Sequence, residues 1–202
     1  MKKIMLAFAL VAFASTASAS IAGGSHDLTK ATYANSTALP ACQYCHTPHV
    51  WIAANVTGGP LWNRNAPATA YTVYTSTGFT STINLGTASR VCLSCHDGNA
   101  MGQVNNGTAP AGALVAIGGA SAGPTFYANV GTDLRDDHPV GVAYTVGTFS
   151  RDVAGDTNVK LYGGQVECAS CHDPHGASDG RRGGAVFARW GAVDLCARCH
   201  LK

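Results

Sequence analysis

The chain has 202 residues, 46% of them apolar and 12% charged, a balance too hydrophobic and too weakly charged for a disordered protein. A formal charge of +2 leaves no electrostatic footprint for nucleic acid, so no nucleic-acid partner is expected. Leu and Lys are scarce and Glu167 is the single glutamate, which argues against long helices, while eight Cys against eight His is the ratio that needs a cause.

The N-terminus reads as an export signal. Lys2 and Lys3 precede an apolar run over residues 4–14, and Ala17-Ser18-Ala19 fits an A-x-A cleavage site. The run is too short to span a bilayer, and no second stretch approaches that length, so no membrane span is expected. Residues 1–19 are therefore expected to be a cleaved signal peptide, with residues 20–202 forming one domain outside the cytoplasm. Removing Lys2 and Lys3 leaves 11 basic against 11 acidic side chains.

All eight cysteines fall into one pattern. They read Cys42-Gln-Tyr-Cys45-His46, Cys92-Leu-Ser-Cys95-His96, Cys168-Ala-Ser-Cys171-His172 and Cys196-Ala-Arg-Cys199-His200. C-x-x-C-H is the covalent attachment signature of c-type haem. Two thiols at this spacing reach the two vinyl groups of one porphyrin, and the following His becomes an axial iron ligand. Disulfides or Cys₄ zinc sites would explain paired cysteines but give no reason for a His after each pair. The expected cofactors are four covalently attached haems c.

Four irons have eight axial positions. His46, His96, His172 and His200 fill four, and the other four histidines, His26, His49, His138 and His175, match the remainder. Met101, the only methionine beyond the signal segment, is the alternative ligand and would raise the potential of its haem. In C-x-x-C-H-x-P-H, at residues 42–49 and 168–175, three residues span at most about 10–11 Å, too little to wrap a porphyrin. His49 and His175 are thus expected to serve different irons from His46 and His172, with Pro48 and Pro174 restricting the backbone between them. The residues leave the pairing of outside histidines and haems open; one pairing sets His49 with the haem at Cys92 and Cys95, and His175 with that at Cys196 and Cys199. Asp137 is a candidate acceptor orienting His138, and an iron bond at His26 would tie down a chain end. Asp97 and Asp173, each following a haem histidine, read as turn residues.

Between the motifs the chain is rich in Gly, Ala and Thr, with β candidates over residues 71–85, 113–117 and 140–149. The expected fold class is mostly irregular coil with short helices and a few short β-strands, wrapped around four haems that supply the core and much of the folding free energy. Eight ligands for eight positions leave no open iron. That favours electron transfer over haem-centred catalysis, so no enzymatic activity is expected.

The doubled motifs at residues 42–49 and 168–175 resemble the doubled-CxxCH multihaem cytochromes, related in style to cytochrome c3. Pro60-Leu61-Trp62-Asn63-Arg64, residues 92–98 and Asp137-His138-Pro139-Val140 look like segments of the same family. Motif order, haem number, size and the near-terminal His26 are similar to the OmcE-type tetrahaem nanowire cytochromes. The resemblance implies an extracellular or cell-surface homopolymer with a continuous haem chain, in which His26 ligates a haem of a neighbouring subunit. The residues alone leave open whether His26 ligates within its own chain. They also leave open a soluble periplasmic carrier exchanging electrons with other redox proteins, or a haem-centred reductase.

Overall fold

A computed structural model describes residues 21, 26–27, 40–46, 61–62, 69–77, 81–98, 129–156, 159–175, 189 and 192–201. The signal segment, His49, Met101, the β candidate at 113–117 and most of Pro60–Arg64 lie outside the described residues.

The first element is a single 3₁₀ turn, Ala41–Tyr44, opened by Pro40 and carrying the fully buried Tyr44. Helix α1 spans Thr87–His96. Gly86 supplies the carbonyl that accepts from Ser89 N–H and Arg90 N–H at 3.2 and 3.0 Å, which starts the helix. Gly98, with φ +79°, follows it in the left-handed conformation that favours glycine after a helix. Ser89 and Leu93, four residues apart, share the buried face. Leu93 packs with Leu85 and Leu134, and Tyr71, Val73 and Val140 close the cluster.

Strands β1, Val142–Ala143, and β2, Gln165–Val166, pair antiparallel with Val142 opposite Val166 and Ala143 opposite Gln165. Gly141 joins this ladder to the segment before α1. Its N–H donates to Val166 O at 2.7 Å, and its carbonyl accepts from Asn84 N–H at 2.9 Å. At φ +77°, a Cβ there would lie 2.8 Å from Asn84 backbone atoms, so this crossing requires glycine. Helix α2 is the short Cys168–Cys171, and α3 spans Ala192–Cys199.

The β candidates shrink on folding. Of residues 140–149 only Val142–Ala143 forms strand, because the chain then turns at Gly147–Ser150 and leaves Val146 and Phe149 exposed. Within 71–85, Thr72 makes one isolated parallel bridge to Asp133. A two-residue ladder is far below what a sheet needs to stand alone. Among the described residues, no helix is long and apolar enough to cross a membrane.

Candidate metal centres

The spacing i, i+3, i+4 places both cysteines and the histidine of a C-x-x-C-H segment on one face of a helical turn. The backbone takes up that turn. The N–H groups of His46, His172 and His200 donate to the carbonyls of Cys42, Cys168 and Cys196 at 2.8, 3.0 and 2.9 Å. Cys92, Cys95 and His96 lie within α1. None of the eight cysteines is in a disulfide. Among the described residues, no group of three or more His, Cys, Asp or Glu side chains forms a metal cluster.

The histidines come together in pairs. His46 lies 6.0 Å from His175 between ring centroids, with the planes 13° apart. His26 lies 6.0 Å from His96 at 81°, and His138 lies 6.2 Å from His200 at 64°. Two imidazoles on opposite sides of one metal ion need about 2.0–2.1 Å for each metal–nitrogen bond and about 1.1 Å from nitrogen to centroid, or about 6.2–6.4 Å in all. Ordinary edge-to-face ring pairs span the same range, so the separation alone does not discriminate. The composition of the pairs does: each joins one C-x-x-C-H histidine to one histidine from outside the motifs.

Ring orientation points the same way. His26 Nδ1 is 3.1 Å from the Pro174 carbonyl, and His138 Nδ1 is 3.0 Å from that of Pro139. His175 Nδ1 faces Asp173 Oδ1 at 3.6 Å. For His26 and His138 the carbonyl at Nδ1 selects the tautomer in which Nε2 carries no proton, the usual second contact of a metal-bound histidine. Burial lowers the His26 pKa, against the opposing effect of the Pro174 hydrogen bond, and neighbouring His96 and His175 lower it further. The ring is thereby held in the neutral form that a metal ion requires.

No protein-family model matches the chain. No curated protein matches it.

The four motif segments are neighbours in series. The first and second meet where Trp62, edge-on to His46 at 6.3 Å, donates from Nε1 to Ser94 Oγ at 3.2 Å. His26, which faces His96 of the second, bonds to the Pro174 carbonyl that follows the third. The second and third meet where Cys168 N–H donates to Ser89 Oγ at 3.0 Å. The neighbouring Cys168 and then burial push the Cys92 pKa up, and Cys92 pulls the Cys168 pKa down. The third and fourth meet at Cys171, pushed up by burial and then by Cys199, Cys168 and Cys196.

The ring contacts run differently from the pairing suggested by the sequence. His175 lies against His46, and the partner of His200 is His138. His96 faces His26 from the same chain. The reason is chain direction: Asp173 binds His175 N–H at 3.0 Å and Arg189 Nη1 at 3.1 Å, turning the chain after α2 toward the first motif. The His138 ring bonds to the Pro139 carbonyl, and Asp137 is not its acceptor; burial and adjacent Asp136 raise the Asp137 pKa. Asp97 is 4% exposed and accepts from Tyr71 OH at 2.9 Å, so it is a buried tie and more than a turn residue. Sequence reasoning missed the Trp62–Ser94 and Asp173–Arg189 contacts, which join residues distant in the chain and leave no local pattern.

Proposed function

We propose that the chain is a tetrahaem, bis-histidine c-type cytochrome that transfers electrons, and that it serves as a subunit of an extracellular cytochrome filament. The observation that carries the reading is the pairing of a motif histidine with an outside histidine three times, at a separation suited to one metal ion. The cysteines of each motif would hold one haem by thioether bonds. His46 with His175, His96 with His26 and His200 with His138 would be the iron-ligand pairs, which leaves His49, or Met101 as the alternative, for the iron beside His172. Bound there, haem iron supplies a one-electron couple, and bis-histidine ligation tunes it below methionine-ligated haem.

The Pro174 and Pro139 carbonyls orient the His26 and His138 rings through Nδ1, and burial favours the neutral form of His26. Closed ligation suits electron transfer because no ligand has to be exchanged, and it opposes substrate binding at iron. Adjacency of the motifs from first to fourth suits conduction through the whole chain. A soluble periplasmic carrier is the second reading, favoured by the position of His26 against His96 of its own chain.

Protein matured in a host that attaches haem c is expected to carry four haems by intact mass. Reduced protein is expected not to bind carbon monoxide, and rapid stoichiometric binding would refute closed ligation. Electron micrographs of the purified protein decide between filament and carrier: a uniform monomer at high concentration removes the filament.

A further inference from the structure

Glu167 is the only glutamate in the chain and is 1% exposed, yet it belongs to none of the histidine pairs. A carboxyl group removed from water this completely needs hydrogen-bond donors around it. It has them on two different elements. Oε1 accepts from Gly86 N–H at 2.9 Å, at the start of α1. Oε2 accepts from the hydroxyl of Ser89, one turn further along α1. That hydroxyl in turn accepts from Cys168 N–H at 3.0 Å, the first residue of α2. Glu167 N–H donates to Ser170 Oγ at 3.0 Å, and the Glu167 side chain takes part in a reciprocal capping box with Ser170. Gly86 has to be glycine for the carboxyl to come this close, because a Cβ there would collide with Oε1.

The loop therefore runs from the N-terminus of α1 through Ser89 and Glu167 to the N-terminus of α2. Each helix carries the cysteine pair of one C-x-x-C-H segment. Gly141 and Val166, through the 2.7 Å bond between them, fix the strand that delivers Glu167 to this point.

Resting on the tetrahaem reading, we infer that Glu167 is a positioning residue that locks the Cys92/Cys95 helix to the Cys168/Cys171 helix and so sets the junction between the second and third haems. It belongs to none of the histidine pairs and would act through the two helices whose cysteines would hold the second and third haems. Glutamine at this position keeps the length, one acceptor and a donor for Ser89, and so retains the lock; alanine removes it.

The test uses full-length holoprotein as wild type, Glu167→Gln, Glu167→Ala and Ser89→Ala. Intact mass counts attached haems, and circular dichroism in the Soret region reads coupling between neighbouring haems. Wild type and Glu167→Gln are expected to show the same split Soret signal. Glu167→Ala is expected to keep four haems and lose part of that splitting, with a shift in its redox titration curve. Should Glu167→Ala attach fewer haems, Ser89→Ala decides, because it cuts the link to Cys168 N–H and leaves the carboxyl in place. An unaltered Soret splitting in the deciding variant, at four haems, overturns the inference and leaves the tetrahaem reading standing. Loss of splitting in Glu167→Gln equal to that in Glu167→Ala also overturns it. Wild type without attached haem instead removes the reading on which the inference rests.

Discussion

Replacing His175 with alanine is expected to open one iron out of four, and a specified one. His175 lies 6.0 Å from His46, and the partners of His96 and His200 are other histidines. Two metal–imidazole bonds and two ring radii total about 6.2–6.4 Å, so the pair needs to open by only a few tenths of an ångström to accept an ion. In the tetrahaem reading, the iron that Cys42 and Cys45 would hold beside them is then left with His46 alone. One quarter of the haem becomes high-spin when oxidised, and the reduced protein binds one equivalent of carbon monoxide.

Spectral titration measures the amplitude, and a second variant identifies the site. Adding Cys42→Ala and Cys45→Ala removes the first haem, and the new carbon-monoxide signal is expected to vanish with it. Had His175 served the Cys196/Cys199 haem, the signal would persist in the triple variant. That persistence, or four low-spin haems after His175→Ala, refutes the pairing.

Four further outcomes are expected. His26→Ala and His138→Ala each open one iron, at the Cys92/Cys95 and Cys196/Cys199 sites, read by the same carbon-monoxide stoichiometry; in the filament reading with His26 acting in trans, His26→Ala also abolishes polymerisation. Leu93→Ala removes a side chain 1% exposed and is expected to cost about 2–5 kcal/mol, measured by denaturant unfolding. Gly141→Ala destabilises more than Gly131→Ala: both adopt positive φ, worth about 1–2 kcal/mol for a left-handed residue, but only Gly141 also meets backbone at 2.8 Å. Tyr71→Phe deletes the bond to buried Asp97 and is expected to cost about 1–3 kcal/mol by thermal unfolding, with the number of attached haems unchanged.

The clustering of each C-x-x-C-H segment was legible in the sequence because it is local. Cysteines three apart followed by histidine sit on one face of any helical turn, so spacing alone brings Cys92, Cys95 and His96 together whatever the rest of the chain does. The count of eight histidines likewise needs no coordinates. The separation of His175 from His172 follows from chain reach, since three residues cannot wrap a ring.

Pairing is different in kind. Which outside histidine meets which motif depends on segments far apart in sequence: His175 against His46 and His138 against His200 bridge 129 and 62 positions, and no periodicity encodes such a choice. The tertiary structure decides it through a few polar ties. Arg189 on Asp173 aims the chain after α2, Pro174 O holds His26, and Trp62 on Ser94 joins the first motif to the second. Glu167 belongs with these ties: an isolated glutamate before a cysteine looks like a solvated charge until folding brings Gly86 and Ser89 to it. The sequence by itself determined the local geometry of each motif, because that rests on bonds within five residues. Only the tertiary structure decided which motifs are neighbours, because that rests on hydrogen bonds between segments that the chain order keeps apart.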